Sequence, residues 1–247
     1  MEWLDSLQLR KEYGVLSPGA IRSKLGASID PYLLTYRIFD YLQSQGICIF
    51  EETTIKTFNT DNTVILTTKN GNTVTAKHLI FATGYETQNY LKEKIVNLKS
   101  TYAFITKPLL ESKLWKDRAL LWDTGDPYLY VRLTPDNRIL IGGADLVFRN
   151  SWLRDILIAR RTKSVVKQFN ERIPEMQFEI DRRWSGTFGE TKDGLGYIGS
   201  SPEWKNTSFA LGFGGNGITY SAIAGDMLIK QYQGKEVPDL ELFSFGR

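Results

Sequence analysis

The stretch Phe209 to Thr219, FALGFGGNGIT, decides how the chain is read. Gly212, Gly214, Gly215 and Gly217 crowd into it, and a helix is predicted directly after it, from Ile218 to Gln233, with Gly234 as its stop. A glycine turn at a helix N-terminus presents unpaired backbone N–H groups and the positive end of the helix dipole. That arrangement suits a phosphate, or an electron-rich ring that gathers negative charge. The same residues also read as a tight loop-to-helix turn packed on a neighbouring strand. A lone glycine turn does not separate the two.

Working outward, the glycines continue upstream. Gly186, Gly189, Gly194, Gly196 and Gly199 fall between Trp184 and Gly199, and are read as loop that lets a ligand or another backbone come close. Glu190 and Asp193 fall in the same loop as solvated carboxylates or candidate bases. Further upstream, Leu79-Ile80-Phe81 runs into Ala82-Thr83-Gly84-Tyr85. Small residues at the carboxyl end of a strand are where α/β folds seat cofactors, although an ordinary strand-end turn looks the same. Residues 53 to 83 alternate with period two around the turn Asn70-Gly71-Asn72 and predict a hairpin or meander. Ahead of them, Asp30 and Pro31 open a helix that Gly46 closes, and Ile47-Cys48-Ile49-Phe50 predicts a buried strand with Cys48 as a small buried hydrophobe.

The middle of the chain reads as antiparallel. Tyr128-Leu-Tyr-Val-Arg-Leu133, the turn Pro135-Asp136-Asn137 and Ile139-Leu-Ile-Gly-Gly143 predict a hairpin. Tyr128, Tyr130 and Arg132 then share one face. An arginine beside two phenols can grip a carboxylate bidentately; the plain alternative is an edge-strand arginine reaching water. Residues 151 to 170 predict one helix, capped by Asn150 or Ser151.

Composition narrows the classes. The 247 residues are 42% hydrophobic and 24% charged, the mix of a globular chain with an ample core. One cysteine and one histidine, Cys48 and His78, exclude a disulfide framework and a multi-histidine metal site and leave little room for a Ser-His-Asp triad. His78 reads as a strand residue without catalytic duty. A net charge of +3 argues for neither nucleic acid nor a membrane surface. With no apolar run near ~18 residues and no signal-peptide pattern, the expectation is a cytoplasmic protein without a membrane or nucleic-acid partner.

The motifs taken together resemble the FAD-dependent D-amino-acid oxidase-like family, nearest its bacterial amine and glycine-oxidase-like members. WSGTFGETKDGLGYIG (184 to 199) is similar to a family signature, FALGFGGNGIT to its flavin-contacting loop, and PYLYVR with IGGAD to its substrate hairpin. SIDPYLLT and LIFATGYE resemble its central segments, and LFSFGR its ending. The resemblance implies an α+β (α/β-like) fold: an incomplete FAD-binding domain with a mixed sheet, and an antiparallel-sheet substrate domain, the chain crossing between them. It divides the chain into residues 1–95 (remainder of the FAD-binding domain), 96–183 (substrate domain) and 184–247 (return to the FAD-binding domain).

It further implies FAD as cofactor and oxidation of the C–N bond of a small amine or amino acid, with hydride passing to the flavin. The residues expected at the cofactor are Thr54, Ala82, Thr83, Gly84, Gly186, Gly214, Gly215, Asn216, Gly217, Ile218 and Thr219. Tyr128, Tyr130 and Arg132 are expected at the substrate. Two positions depart from the pattern: Phe188 stands where the family often has a carboxylate-binding arginine, and Gly196 where it commonly has proline. Residues 1 to 29 are polar and carry no leading apolar strand with a GxGxxG turn, so the chain is expected to be the C-terminal portion of an enzyme, with self-association through an exposed sheet edge. A remnant that keeps the fold without FAD, and a phosphate-binding module, stay open as other readings.

Overall fold

The computed structural model describes residues 1–247. In chain order the elements are β1 (Glu2–Asp5), α1 (Ser6–Tyr13), β2 (Gly19–Arg22), α2 (Pro31–Ser44), β3 (Ile55–Asn59), β4 (Val64–Thr68), β5 (Thr73–Ala76) and β6 (Leu79–Phe81). They continue with β7 (Asn97–Thr106), β8 (Leu121–Trp122), β9 (Leu129–Leu133), β10 (Ile139–Val147), α3 (Ser151–Ile156), α4 (Ile158–Arg172), β11 (Ile180–Glu190), β12 (Tyr197–Gly199), β13 (Thr207–Leu211) and α5 (Gly217–Tyr232). The fold is α+β, as the sequence predicts.

The chain divides into two units. The first joins Met1–Ile29 to Lys99–Thr187; the second joins Asp30–Leu98 to Phe188–Arg247. Residues 1–29 therefore group with the middle of the chain, not with the segment 30–95 as expected. Three side chains set this grouping: Leu4, Leu9 and Tyr13 are buried in the same core as Val131, Ile141 and Phe169. Val15 and Ala20 pack against the same core, but so few apolar positions spread over two strands and one short helix do not register as a period.

The first unit is built on a five-stranded sheet in the order β11-β7-β10-β9-β8. β9 alternates: Leu129, Val131 and Leu133 are buried, while Tyr130 and Arg132 are half-buried. The inward set meets Ile139 and Ile141 of β10 and the fully buried Val165 and Phe169 of α4. Burial of this kind stabilises a fold by about 25 cal/mol per Å² of apolar surface. The helix expected over 151 to 170 is interrupted at Leu157 into α3 and α4; Asn150 Oδ1 caps it, accepting from the Leu153 N–H at 2.8 Å. The glycine-rich segment expected as loop from Trp184 is strand instead, since β11 runs through Gly186 and Gly189 to Glu190.

The second unit holds two three-stranded sheets, β12-β13-β6 and the meander β3-β4-β5. β6 and β13 are parallel, with Phe81 opposite Phe209. α5 covers β12 and β13 through Ala224, Met227 and Leu228 around the fully buried Ile198. α2 forms where its caps predict: Asp30 Oδ1 accepts from the N–H groups of Tyr32 and Leu33 at 3.0 and 3.1 Å, and Gly46 takes φ +79°. None of its residues is buried. Ile47–Phe50 is not a strand, and Ile47, Cys48 and Phe50 are exposed, against the expected buried strand and buried thiol. An extended apolar run becomes a strand only by pairing, and no strand of this chain pairs with it.

Candidate functional site

In the second unit the parallel register decides the geometry. Because β6 and β13 run side by side in the same direction, the residues that follow them emerge at one end of the sheet. Ala82, Thr83 and Gly84 are therefore brought beside the Gly212–Thr219 turn. That is the end at which α/β sheets bind ligands. Gly84 (φ +59°), Gly212 (+74°) and Gly214 (+52°) take left-handed backbone that favours glycine. A Cβ on Gly214, Gly215 or Gly217 would meet nothing within 4 Å, whereas one on Gly212 would strike Thr191 Cγ2 at 2.5 Å. So Gly212 is a packing glycine, and the next three border open space.

Asn216 stands at the N-cap of α5 without a side-chain hydrogen bond to the helix. The first-turn N–H groups, including those of Ile218 and Thr219, are left for an outside acceptor. The end of β13 is tied down by the Gly214 N–H donating to Gly189 O at 3.0 Å and by the Glu190–Phe213 bridge. Thr54 is not brought to this place. It precedes β3, and its carbonyl accepts from the Lys69 N–H at 2.9 Å. His78 bonds Ser208 Oγ through Nε2 at 2.9 Å, and burial lowers the pKa of its imidazole. It lies between β5 and β6, outside any strand, and has no part in the loop cluster.

A second anchor sits just upstream of the turn. Arg247 donates to both carboxylate oxygens of Asp193, at 2.8 and 3.3 Å, and to Leu195 O at 2.7 Å, and lies 3.7 Å over the Tyr197 ring. The Asp193 carboxyl is held well below the usual aspartate range, first by the Arg247 hydrogen bond, with the Leu195 N–H, the Arg247 charge and the Thr191 hydroxyl adding to it against burial. A depressed folded pKa gives stability that is complete above the unfolded aspartate value, about 3.9, and is lost as pH falls below it. Arg247→Ala is thus expected to lower the unfolding midpoint at neutral pH. The gap from wild type should close on acidification below about pH 4; midpoints measured across that range check it.

In the first unit, Tyr128, Tyr130 and Arg132 do share one face, opposite the α4 core. The Tyr128 and Tyr130 rings lie 6.2 Å apart. Tyr130 lies across Gly142, its partner on β10, where a Cβ would come 2.1 Å from the ring. Burial, with the nearby Asp145 carboxylate adding to it, raises the pKa of the Tyr130 phenol, so it stays protonated. Arg132 is half-buried, opposite Leu140, and among the described residues has no hydrogen-bond or ion-pair partner. β9 is flanked by β10 along its length, while the two-residue β8 pairs only with Tyr130 and Val131, so Arg132 is paired on the β10 side alone. Gly186 belongs to this unit. A Cβ there would lie 3.5 Å from Thr101 Cγ2, so Gly186 packs against β7 of this unit.

Sequence reasoning missed Asp145 and Thr101. Tyr128 Oη donates to Asp145 Oδ2 at 2.6 Å. Asp145 Oδ1 and Thr101 Oγ1 are both closed to solvent without a hydrogen-bond partner. Period two would send Asp145 to the core with Ile139 and Ile141. A one-residue bulge reverses it: Gly143 pairs with Tyr102, but Leu146 pairs with Ser100. The Gly142-Gly143 pair was the available signal, since glycine inside a strand marks a bulge or a close approach.

The family model described as FAD dependent oxidoreductase (DAO) matches residues 1–231. Glycine oxidase of Bacillus subtilis (strain 168) is 25% identical over 256 residues, covering 99% of this chain and 68% of that protein. Gamma-glutamylputrescine oxidoreductase of Escherichia coli (strain K12) is 25% identical over 246 residues, covering 95% and 55%. The crystal structure of glycine oxidase from Geobacillus kaustophilus superposes with a TM-score of 0.82 at 23% identity, over 100% of this chain and 66% of that one. L-proline dehydrogenase from P. horikoshii gives 0.82 at 19% identity, over 98% and 67%. The chain spans between about half and two thirds of the length of the curated relatives it matches. No helix is long and apolar enough to cross a membrane. With the match running through both units, the chain belongs to the FAD-dependent oxidoreductase (DAO) family.

Proposed function

We propose that this chain supplies the flavin-contacting turn and the substrate face of an oxidoreductase that oxidises the C–N bond of a small amine or amino acid. The observation that carries it is Arg132, a half-buried cation with no partner on a face that also bears two phenols. FAD is the cofactor of the family. Its fit rests on the open space at Gly214, Gly215 and Gly217 and on the uncapped start of α5. When bound, FAD supplies the hydride acceptor.

The chain's own residues do the rest. The first-turn N–H groups of α5, with Ile218 and Thr219, hold negative charge by hydrogen bond and dipole. Ala82, Thr83 and Gly84 lie alongside without bulk. Arg132 takes a substrate carboxylate, the role Phe188 cannot perform. Glycine oxidase and gamma-glutamylputrescine oxidoreductase, both named for nitrogen compounds, support an amine substrate.

The test is Arg132→Ala. A lost charge-assisted contact is expected to raise KM for a carboxylate-bearing amine by about tenfold while kcat stays within about twofold. A plain alkylamine should be indifferent, and an unchanged KM for both substrates overturns the assignment. The polar residues 1–29, which carry no apolar strand running into a GxGxxG turn, favour a second reading, a fold that does not hold FAD alone. Flavin absorbance retained by the chain after FAD addition and desalting decides between them.

A further inference from the structure

We propose that the solvent face of α3 and α4 docks this protein on an anionic lipid surface, with Trp152 and Ile156 entering the headgroup layer and Arg160, Lys163 and Lys167 resting on its negative charge. The contact is peripheral, goes beyond the oxidation chemistry and does not depend on it.

The distribution of charge is the first ground. The whole chain nets only +3, and that average hides a local excess. From Val147 to Lys167, six cations (Arg149, Arg154, Arg160, Arg161, Lys163 and Lys167) stand against one anion, Asp155. Asp155 is already engaged, by Arg154 Nε at 2.7 Å and by the Ser185 hydroxyl donating at 2.8 Å. Arg160 and Lys163 face solvent without an ion pair. Lys167 meets only Glu171, at 3.9 Å and with both side chains exposed, a pairing that neutralises little.

The helix face is the second ground. At 100° per residue, Trp152, Ile156, Arg160, Lys163 and Lys167 fall within about 80° of arc and span about 22 Å along the axis. Leu157, between the two helices, stays right-handed (φ −80°, ψ −9°), so the stripe runs on from α3 into α4. All five residues are exposed, whereas Thr162, Val165 and Phe169 on the other side of α4 are buried.

The exposed apolar pair is the third ground. Trp152 is 71% and Ile156 60% exposed, and at spacing i, i+4 they stand side by side. An indole settles at a membrane interface, its ring against acyl chains and its N–H toward water. A helix with tryptophan, an aliphatic neighbour and a row of cations has the composition of one that lies in the interface plane. Nucleic acid would engage the cations and leave Ile156 without a role. α4 packs on the sheet face opposite Tyr130 and Arg132, so docking here leaves the proposed substrate face turned away from lipid.

The experiment sediments the full chain with vesicles of phosphatidylcholine alone and with about 30% phosphatidylserine, and sets double-stranded DNA beside them as a second polyanion. Wild type should bind the anionic vesicles about tenfold more tightly than the neutral ones at about 0.1 M salt and release them near 0.5 M. Trp152→Ala should weaken binding about fivefold without changing the salt dependence, because it removes insertion and no charge. The triple variant Arg160→Gln, Lys163→Gln, Lys167→Gln should abolish the preference for anionic lipid. These positions are exposed, so unfolding midpoints should match wild type; Ile156→Ser repeats the test if Trp152→Ala lowers the midpoint. Trp122→Ala, at a tryptophan on β8 that is 70% exposed, should change nothing. Equal binding to both vesicles overturns the proposal. So does a chain that binds DNA and ignores the vesicles, or a Trp122→Ala loss as large as that of Trp152→Ala.

Discussion

Gly143→Ala is expected to lower the unfolding free energy of the first unit by about 3 kcal/mol, the sum of two penalties at one atom. Gly143 sits at φ +150°, where an L side chain is rarely found. A Cβ built there falls 2.4 Å from the carbonyl oxygen of Tyr128, which is backbone and cannot rotate away. The site is central: β10 is paired on both sides, to β9 through Leu129 and to β7 through Tyr102. Relief therefore requires two neighbouring strands to separate.

Gly142→Ala is the informative comparison. Its Cβ would strike the Tyr130 ring at 2.1 Å, and that ring, unlike backbone, can swing aside. The backbone clash should cost more stability, and the ring clash should cost more binding. Urea titration followed by tryptophan fluorescence measures the first. A loss below about 1 kcal/mol for Gly143→Ala would show that β9 retreats without effort, and the Tyr128–Asp145 geometry would then lose its claim to rigidity.

What was legible in the sequence follows a physical line. Elements fixed by neighbouring residues could be read: α2 from Asp30, Pro31 and Gly46, and the β9–β10 hairpin from its alternation and the Pro135–Asn137 turn. Elements fixed by distant partners could not. Ile47–Phe50 has the composition of a strand and no strand to join. Residues 1–29 are polar on average, yet Leu4, Leu9 and Tyr13 tie them to a core made mostly by residues beyond position 100. Gly186 and Gly189 looked like loop because glycine is common in loops. In β11 glycine serves close packing instead, since a Cβ at Gly189 would meet Val96 Cγ1 at 2.3 Å.

The candidate site divides along the same line. The Gly214 turn and the Ala82–Gly84 turn each carried a local glycine signal, but only the parallel pairing of β6 with β13 brings them to one place. On the other face, Tyr128, Tyr130 and Arg132 were given by period two. Asp145 was hidden by the same rule, because one extra residue at Gly143–Ala144 inverts the parity of everything after it.

Gly215→Val should abolish flavin retention while leaving the protein as stable as wild type, and the separation of those two effects is what gives the substitution its force. Most glycine substitutions confound ligand loss with damage to the fold. Gly212 is such a case, since Thr191 Cγ2 would lie 2.5 Å from its Cβ and its φ is +74°. Gly215 has neither problem. Its φ lies outside the left-handed range, and nothing stands within 4 Å of a Cβ placed there. An exposed loop position of this kind tolerates substitution within about 0.5 kcal/mol. Two methyl groups pointing into the space beside the α5 N-terminus would, however, keep a flat anionic ring from reaching the first-turn N–H groups, which act within a single turn.

The measurement has two arms: flavin absorbance after loading and desalting, and the unfolding midpoint of the flavin-free protein, since bound flavin itself raises the midpoint. Retained flavin with an unchanged midpoint would move the cofactor away from this turn and leave α5 with only a structural role. Loss of flavin together with loss of stability would show that the turn packs against something other than solvent. Only loss of flavin at constant stability matches a glycine kept small for a ligand's sake.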